Sequence, residues 1–180
     1  DAWAEDYDEV RLKRRPSVGH RGIQIYEQTP RAQRKPRRSQ ASNYLETALL
    51  DHVLRNTAYT SPTTVYVGLF KETVDTATTN NNLEAGTLTD EVGNSNDYTR
   101  KAVTFAAASS PGGTITTNAN VTFDPANGGD WGAITHVAIL DSATHGSGNV
   151  LFYGTLATSK TIQDGDTFQI TTGNLTITLA

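Results

Sequence analysis

Apolar residues recur along this chain with two different periods, and the change comes at Pro62. Before it, Leu45, Ala48, Leu49, His52 and Val53 recur at helical spacing, with Leu50 and Leu54 widening the stripe. Ser42 or Asn43 can cap the start, and Glu46 follows Asn43 by three residues in the manner of a capping box. A helix over 42–55 is therefore expected, packed against the sheet that follows. After Pro62 the pattern becomes that of strands. "TTVYVGLF" (63–70) is β-branched and aromatic, and "DYTRKAVTFAA" (97–107) offers Tyr98, Ala102 and Phe105 as core anchors. "TITTNANVTF" (114–123) alternates at period two, while "GAITHVAILDSA" (132–143) is almost continuously apolar and is expected to be central. "VLFYGTLATSKTI" (150–162), "DTFQI" (166–170) and "NLTITLA" (174–180) complete the set. Short strands separated by Gly, Asn and Asp predict a mainly β fold: an antiparallel β-sandwich or jelly-roll-like domain, preceded by one short α-helix. Residues 71–96 lack a period and are expected to form a long, polar, exposed loop.

The first 40 residues belong to neither pattern. Pro16, Pro30 and Pro36 interrupt them, and their one apolar patch is "GIQIYEQ" (22–28), where Ile23 and Ile25 alternate with polar residues. That patch is too short to fold alone but is long enough to add a strand to another protein's sheet edge. The expected organisation is an extended N-terminal arm, 1–40, joined to a β domain, 41–180.

Charge sharpens this division. The net charge of −4 conceals an arm with ten basic and six acidic residues and a domain with five basic and thirteen acidic ones. All ten basic residues of the arm lie between Arg11 and Arg38, opposed there by Glu27 alone. Such blocks remain unfolded in isolation and serve as interaction tails. Extended along an acidic protein surface, the arm would place its arginine forks on carboxylates. Nucleic acid is a weaker partner, because Tyr26 is the one aromatic residue among these charges and stacking contacts are sparse. The candidate partner-binding residues are Arg14, Arg15, Arg21, Ile23, Ile25, Tyr26, Arg31, Arg34, Lys35, Arg37 and Arg38.

Catalytic and metal chemistry find little support. The chain has no cysteine, and its four histidines (His20, His52, His136 and His145) show no ligand spacing, so no metal and no cofactor are expected. His136 is expected to be a core or interface histidine with its hydrogen bonds satisfied. "DPANGGD" (124–130) and "DGD" (164–166) lack the longer oxygen-ligand alternation of a calcium loop and are expected to be turns. "HGSGN" (145–149) is neither a phosphate-binding loop nor a nucleophile elbow. No acid–base dyad stands out, and no catalytic residue is expected. No apolar run approaches the ~18–20 residues that span a bilayer, and "DAWAEDYDEV" has no signal-peptide pattern. The chain begins at Asp1 and holds no methionine, so N-terminal sequence is expected to have been removed or to lie outside this numbering.

From Ser42 onward the chain resembles small virion proteins of tailed bacteriophages, a group that includes head decoration, cement, minor tail and tail-fibre proteins. The resembling stretches are "SNYLETALLDHVLRNTAYTSPTTVYVGLF" (42–70), "YTRKAVTFAAASS" (98–110), "VTFDPANGGDWGAITHVAILDSATHGSGNVLFYGTL" (121–156) and "DGDTFQITTGNLTITL" (164–179). The resemblance implies a non-enzymatic virion protein. Its first implication is a capsid decoration, or cement, protein on the outer capsid surface. The arm would then clamp neighbouring subunits of the major capsid protein, alongside lattice neighbours or within a homo-oligomer. The alternative is a minor tail, tail-fibre or neck component involved in host attachment.

Overall fold

The computed structural model describes residues 40–71, 82–109 and 112–179. The domain is mainly β and antiparallel, with one helix, as the strand pattern predicts. In chain order its elements are β1 (Gln40–Ala41), α1 (Asn43–Arg55), β2 (Val65–Phe70), β3 (Lys101–Val103), β4 (Thr114–Thr116), β5 (Val121–Thr122), β6 (Gly132–Leu140), β7 (Val150–Ile162), β8 (Gln169–Ile170) and β9 (Thr176–Thr178). A five-stranded sheet has the order β1-β7-β6-β2-β3, with every pairing antiparallel. Two ribbons, β4-β9 and β5-β8, form the rest. The run 132–143 does supply the central strand. β6 is buried over most of its length and is flanked by strands on both sides, which is why its sequence shows no polar alternation.

Side chains alternate across the main sheet. Val67, Leu69, Val137 and Ile139 project to one face, where they join Val121, Phe123, Phe168, Ile170 and Ile177 in the larger core. Tyr98, Phe123, Trp131 and Phe168 form its aromatic centre, with ring centroids 5.5–6.2 Å apart in stacked and edge-on pairs. On the opposite face, Phe70, Ala138, Leu140, Val150 and Tyr153 are covered by Leu83 and Leu88. Gly68 lies on this face. A Cβ there would stand 2.8 Å from Leu140 Cδ1 and 3.0 Å from Phe70 Cε2, so the residue is glycine for space.

Several sequence-based expectations are corrected. The helix is capped by Ser42, whose Oγ accepts from Leu45 N–H at 3.2 Å, and not by an Asn43–Glu46 box; Glu46 contributes only an acidic side chain in the first turn. His52 and Val53 are exposed, because only the first half of α1 lies against the sheet and Leu45 is its one buried residue. The strand expected at 97–107 shrinks to Lys101–Val103. There Ala102 is exposed, Phe105 is half-buried and Tyr98 is buried. The run 114–123 is two strands, β4 and β5, belonging to different ribbons and separated by a turn at Asn118–Asn120. The stretch 71–96 is only partly an exposed loop. Leu83, Glu91 and Val92 are buried, and the backbone is tied to β2 by Lys71 N–H to Asp90 O and Val92 N–H to Leu69 O, both 2.9 Å. Among the described residues no helix is long and apolar enough to cross a membrane.

Candidate functional site

All eleven arm residues named as candidate contacts, from Arg14 to Arg38, lie outside the described residues, as does His20. The structure does show where the arm joins the domain. Gln40 and Ala41 pair with Tyr153 and Phe152 of β7. Ser42, fully buried, then fastens the junction: its N–H donates to Leu151 O at 3.0 Å and its hydroxyl donates to Val150 O. Asn43 N–H donates to Glu84 O at 3.0 Å. Strand pairing and helix cap meet within three residues, so the arm leaves the domain from a fixed point.

The buried titratable groups are engaged in structure. Glu91 and Arg100 form a fully buried ion pair, with Nε to Oε1 and Nη2 to Oε2 both 2.7 Å. Tyr98 Oη donates to Glu91 Oε1 at 3.1 Å and accepts from Leu69 N–H at 2.8 Å. Arg100 Nη1 donates to the carbonyls of Ser142 (2.7 Å) and Ser147 (2.8 Å), and Gly146 N–H donates to Glu91 Oε2 at 2.9 Å. His145 adds a hydrogen bond from Nε2 to Val92 O at 3.0 Å. This network pins the 141–149 turn to the 88–92 segment. Burial, followed by the neighbouring Glu91 charge, pushes the Tyr98 hydroxyl far above its usual range, so it stays protonated. Every strong donor here has an acceptor within the protein, which is the pattern of a structural clasp.

His136 behaves as expected of a satisfied core histidine. It is buried between Thr135 Oγ1, 2.9 Å from Nδ1, and Thr155 Oγ1, 3.1 Å from Nε2. Burial lowers its pKa below the ordinary 6.5 and favours the neutral ring. The two Asp-Gly stretches are turns braced against one another. Asp164 Oδ1 accepts from the N–H groups of Gly128 (2.9 Å) and Gly129 (3.3 Å), and Asp130 Oδ1 accepts from Asp164 N–H at 2.8 Å. Among the described residues no group of three or more acidic or histidine side chains could hold a metal. Trp131 is buried, with its Nε1–H donating to Asn96 O at 2.8 Å.

Two surface features remain. The C-terminal half of α1 exposes Leu50 (60%), Val53 (73%) and Leu54 (75%) as one apolar stripe. The other feature follows β7. Its ladder with β6 skips from His136↔Thr155 to Ile134↔Lys160, so among the described residues Leu156–Ser159 form a bulge with no ladder partner. Beside this bulge run two cavities of about 330 and 610 Å³ that share Leu156, Ala157, Ile170 and Asn174. Leu175 and Ile177 add apolar lining. In the folded domain β7 has thirteen residues and β6 nine, a mismatch that the sequence runs 132–143 and 150–162 do not show.

The model of one protein family, described as podophage GP4 fiber I protein gp80, matches residues 40–178 of the chain. The chain belongs to this family. The matched span runs from the first residue of β1 to the last of β9, so the gp80 family match covers the folded domain and leaves residues 1–39 outside it. No curated protein matches the chain. Membership of the gp80 family makes this a phage virion structural protein and favours the tail over the capsid surface.

Proposed function

We propose that the chain is a non-enzymatic, tail-fibre-type component of a podophage virion that takes part in host attachment. The carrying observation is the family match, which spans the whole folded domain and names a fibre protein. It supports the tail alternative over the capsid-decoration reading. The domain's chemistry agrees with a structural role. The buried Glu91–Arg100–Tyr98 group and His136 use their hydrogen bonds to hold strands and turns together, whereas the C-terminal half of α1 exposes an apolar stripe.

In this reading the domain is the rigid body and the arm is its attachment. Arg14, Arg15, Arg34, Lys35, Arg37 and Arg38 pair with carboxylates of a neighbouring virion protein, while the fixed exit at Gln40–Ser42 transmits the pull to β7. Gold-labelled antibody against the domain, applied to intact particles, tests the location. Label at the tail is the expected result. Label spread evenly over the capsid would return the chain to the decoration role.

A further inference from the structure

Asn127–Gly128 is the one Asn-Gly pair in the chain, and both residues are exposed to water. In such a pair the glycine nitrogen can attack the asparagine side-chain carbon Cγ, because no Cβ crowds the approach and the backbone turns freely. The N–Cγ bond that forms closes a succinimide ring. The Cγ–Nδ2 bond that breaks releases ammonia, which carries off the proton of the glycine amide. Water then opens the ring at either carbonyl and leaves aspartate or iso-aspartate. In the folded domain both reacting groups are held. Gly128 N–H donates to Asp164 Oδ1 at 2.9 Å, and Asn127 Nδ2 donates to Asp97 Oδ2 at 2.8 Å. Asn127 N–H donates to Asn96 O at 3.3 Å. The preceding residue, Ala126, is buried and tied on both sides, its N–H to Asp166 O at 2.9 Å and its carbonyl to Gly165 N–H at 2.7 Å. We infer that Asn127 is a latent deamidation site, kept closed by Asp164 and Asp97, and that its conversion irreversibly loosens this end of the domain.

Asp164 closes the site in two ways. Its oxygen aims the Gly128 N–H, and with it the electron pair left when that proton goes, away from Asn127 Cγ. Its charge also opposes loss of the proton, since an amide anion beside a carboxylate is a like-charge pair. Asp97 meanwhile fixes the side-chain amide that would have to turn toward the attacking nitrogen. The product cannot return to this arrangement. A carboxylate at position 127 meets the Asp97 carboxylate where an N–H stood, and a hydrogen bond becomes a like-charge contact. Iso-aspartate also adds a methylene to the main chain before Gly128, which draws its N–H off Asp164. The change reaches the core through one atom: Asn96 O accepts both Asn127 N–H and, at 2.8 Å, Trp131 Nε1–H. Trp131 packs edge-on against Tyr98 and Phe123 in the aromatic centre.

The test incubates the full chain in mildly alkaline buffer, with and without urea, and follows conversion at each asparagine by peptide mass spectrometry. Residue 127 should convert ahead of the other asparagines in urea, and at least about tenfold more slowly in the folded chain, the factor expected of a hydrogen bond to a charged group. Asp164→Ala should restore about tenfold of that rate without urea. Asp164→Asn keeps an oxygen acceptor and removes the charge, so it should fold like the parent and accelerate conversion less. Asn118, held by Thr104 and Phe105 elsewhere in the fold, reports general opening and should be unaffected. Asn127→Asp places the product carboxylate beside Asp97 and should lower the urea midpoint. Equal rates at 127 in urea and in the folded chain, or no acceleration in either Asp164 variant, would overturn the proposal. So would slower conversion in those variants, which would make the carboxylate a promoter of the attack, or acceleration at Asn118 in step with 127. An unchanged midpoint in Asn127→Asp would overturn the loosening. These readouts come from the isolated chain and are independent of the gold-labelling outcome.

Discussion

Replacing Arg100 with methionine removes the cation and keeps most of the side-chain volume. Arg100 donates four hydrogen bonds of 2.7–2.8 Å, two to Glu91 and two to the carbonyls of Ser142 and Ser147. Both carboxylate and guanidinium are fully buried, so Glu91 would be left as a buried charge held by Tyr98 Oη and Gly146 N–H, with His145 Nε2 3.9 Å from Oε2. Breaking a buried pair from one side costs about 3–5 kcal/mol. The two carbonyls sit in an exposed turn where water can replace the lost donor, so they add little. Against a domain stability of about 5–15 kcal/mol, this loss is severe without abolishing folding in every case. With a urea m-value near ~2 kcal/mol/M, the midpoint should fall by roughly 1.5–2.5 M. Urea unfolding of Arg100→Met beside Glu91→Leu/Arg100→Met is the assay. The double variant should be more stable than Arg100→Met, because it leaves no uncompensated charge; its residual cost reflects the Tyr98 hydroxyl losing its acceptor. A loss below ~1 kcal/mol in Arg100→Met, or a double variant as unstable as the sum of both singles, would refute the clasp.

Three further outcomes follow from particular contacts. Gly68→Ala forces a Cβ onto Leu140 and Phe70, so it should cost about 1–3 kcal/mol and lower the melting temperature by about 2–4 °C per kcal/mol, read by calorimetry. Ser42→Ala removes a helix cap and a buried hydroxyl bond at once, and a loss of about 1–3 kcal/mol should appear with faster amide exchange at the start of α1. The lowered pKa of His136 means that the unfolded chain binds the proton more readily. This residue's contribution is therefore intact above pH 6.5 and is lost as pH falls below that value toward the folded pKa. The drop in stability between pH 7.5 and 5.5 should be smaller in His136→Gln than in the parent; equal drops would show that His136 does not set it.

The strands that were legible in the sequence are those whose burial is continuous. β6 could be placed from "GAITHVAIL" because both its faces are covered, and of the three expected anchors Tyr98 is buried while Ala102 is not. The helix was visible but its face was not. Helical spacing selects Val53 as readily as Leu45, whereas the pinning of Ser42 to β7 decides that only the first turns meet the sheet. Alternation at 114–123 continues through Asn118–Asn120, where the side chain of Asn118 instead holds Thr104 and Phe105, so one apparent strand becomes two. Glu91 and Arg100 stand nine residues apart in stretches without a period. Their union depends on the turn at 141–149, far along the chain, and no local pattern announces it. The register shift between β6 and β7 is a mismatch between two strands, which exists only once they are paired.

We propose that this chain is a tail-fibre-type part of a virion. Its copy number in purified particles, measured by mass spectrometry against the major capsid protein, tests that most directly. A small fraction of the capsid protein's count is the predicted result, with the basic arm serving as an adaptor. A count approaching one chain per capsid subunit would contradict the claim and make the arm a lattice clamp.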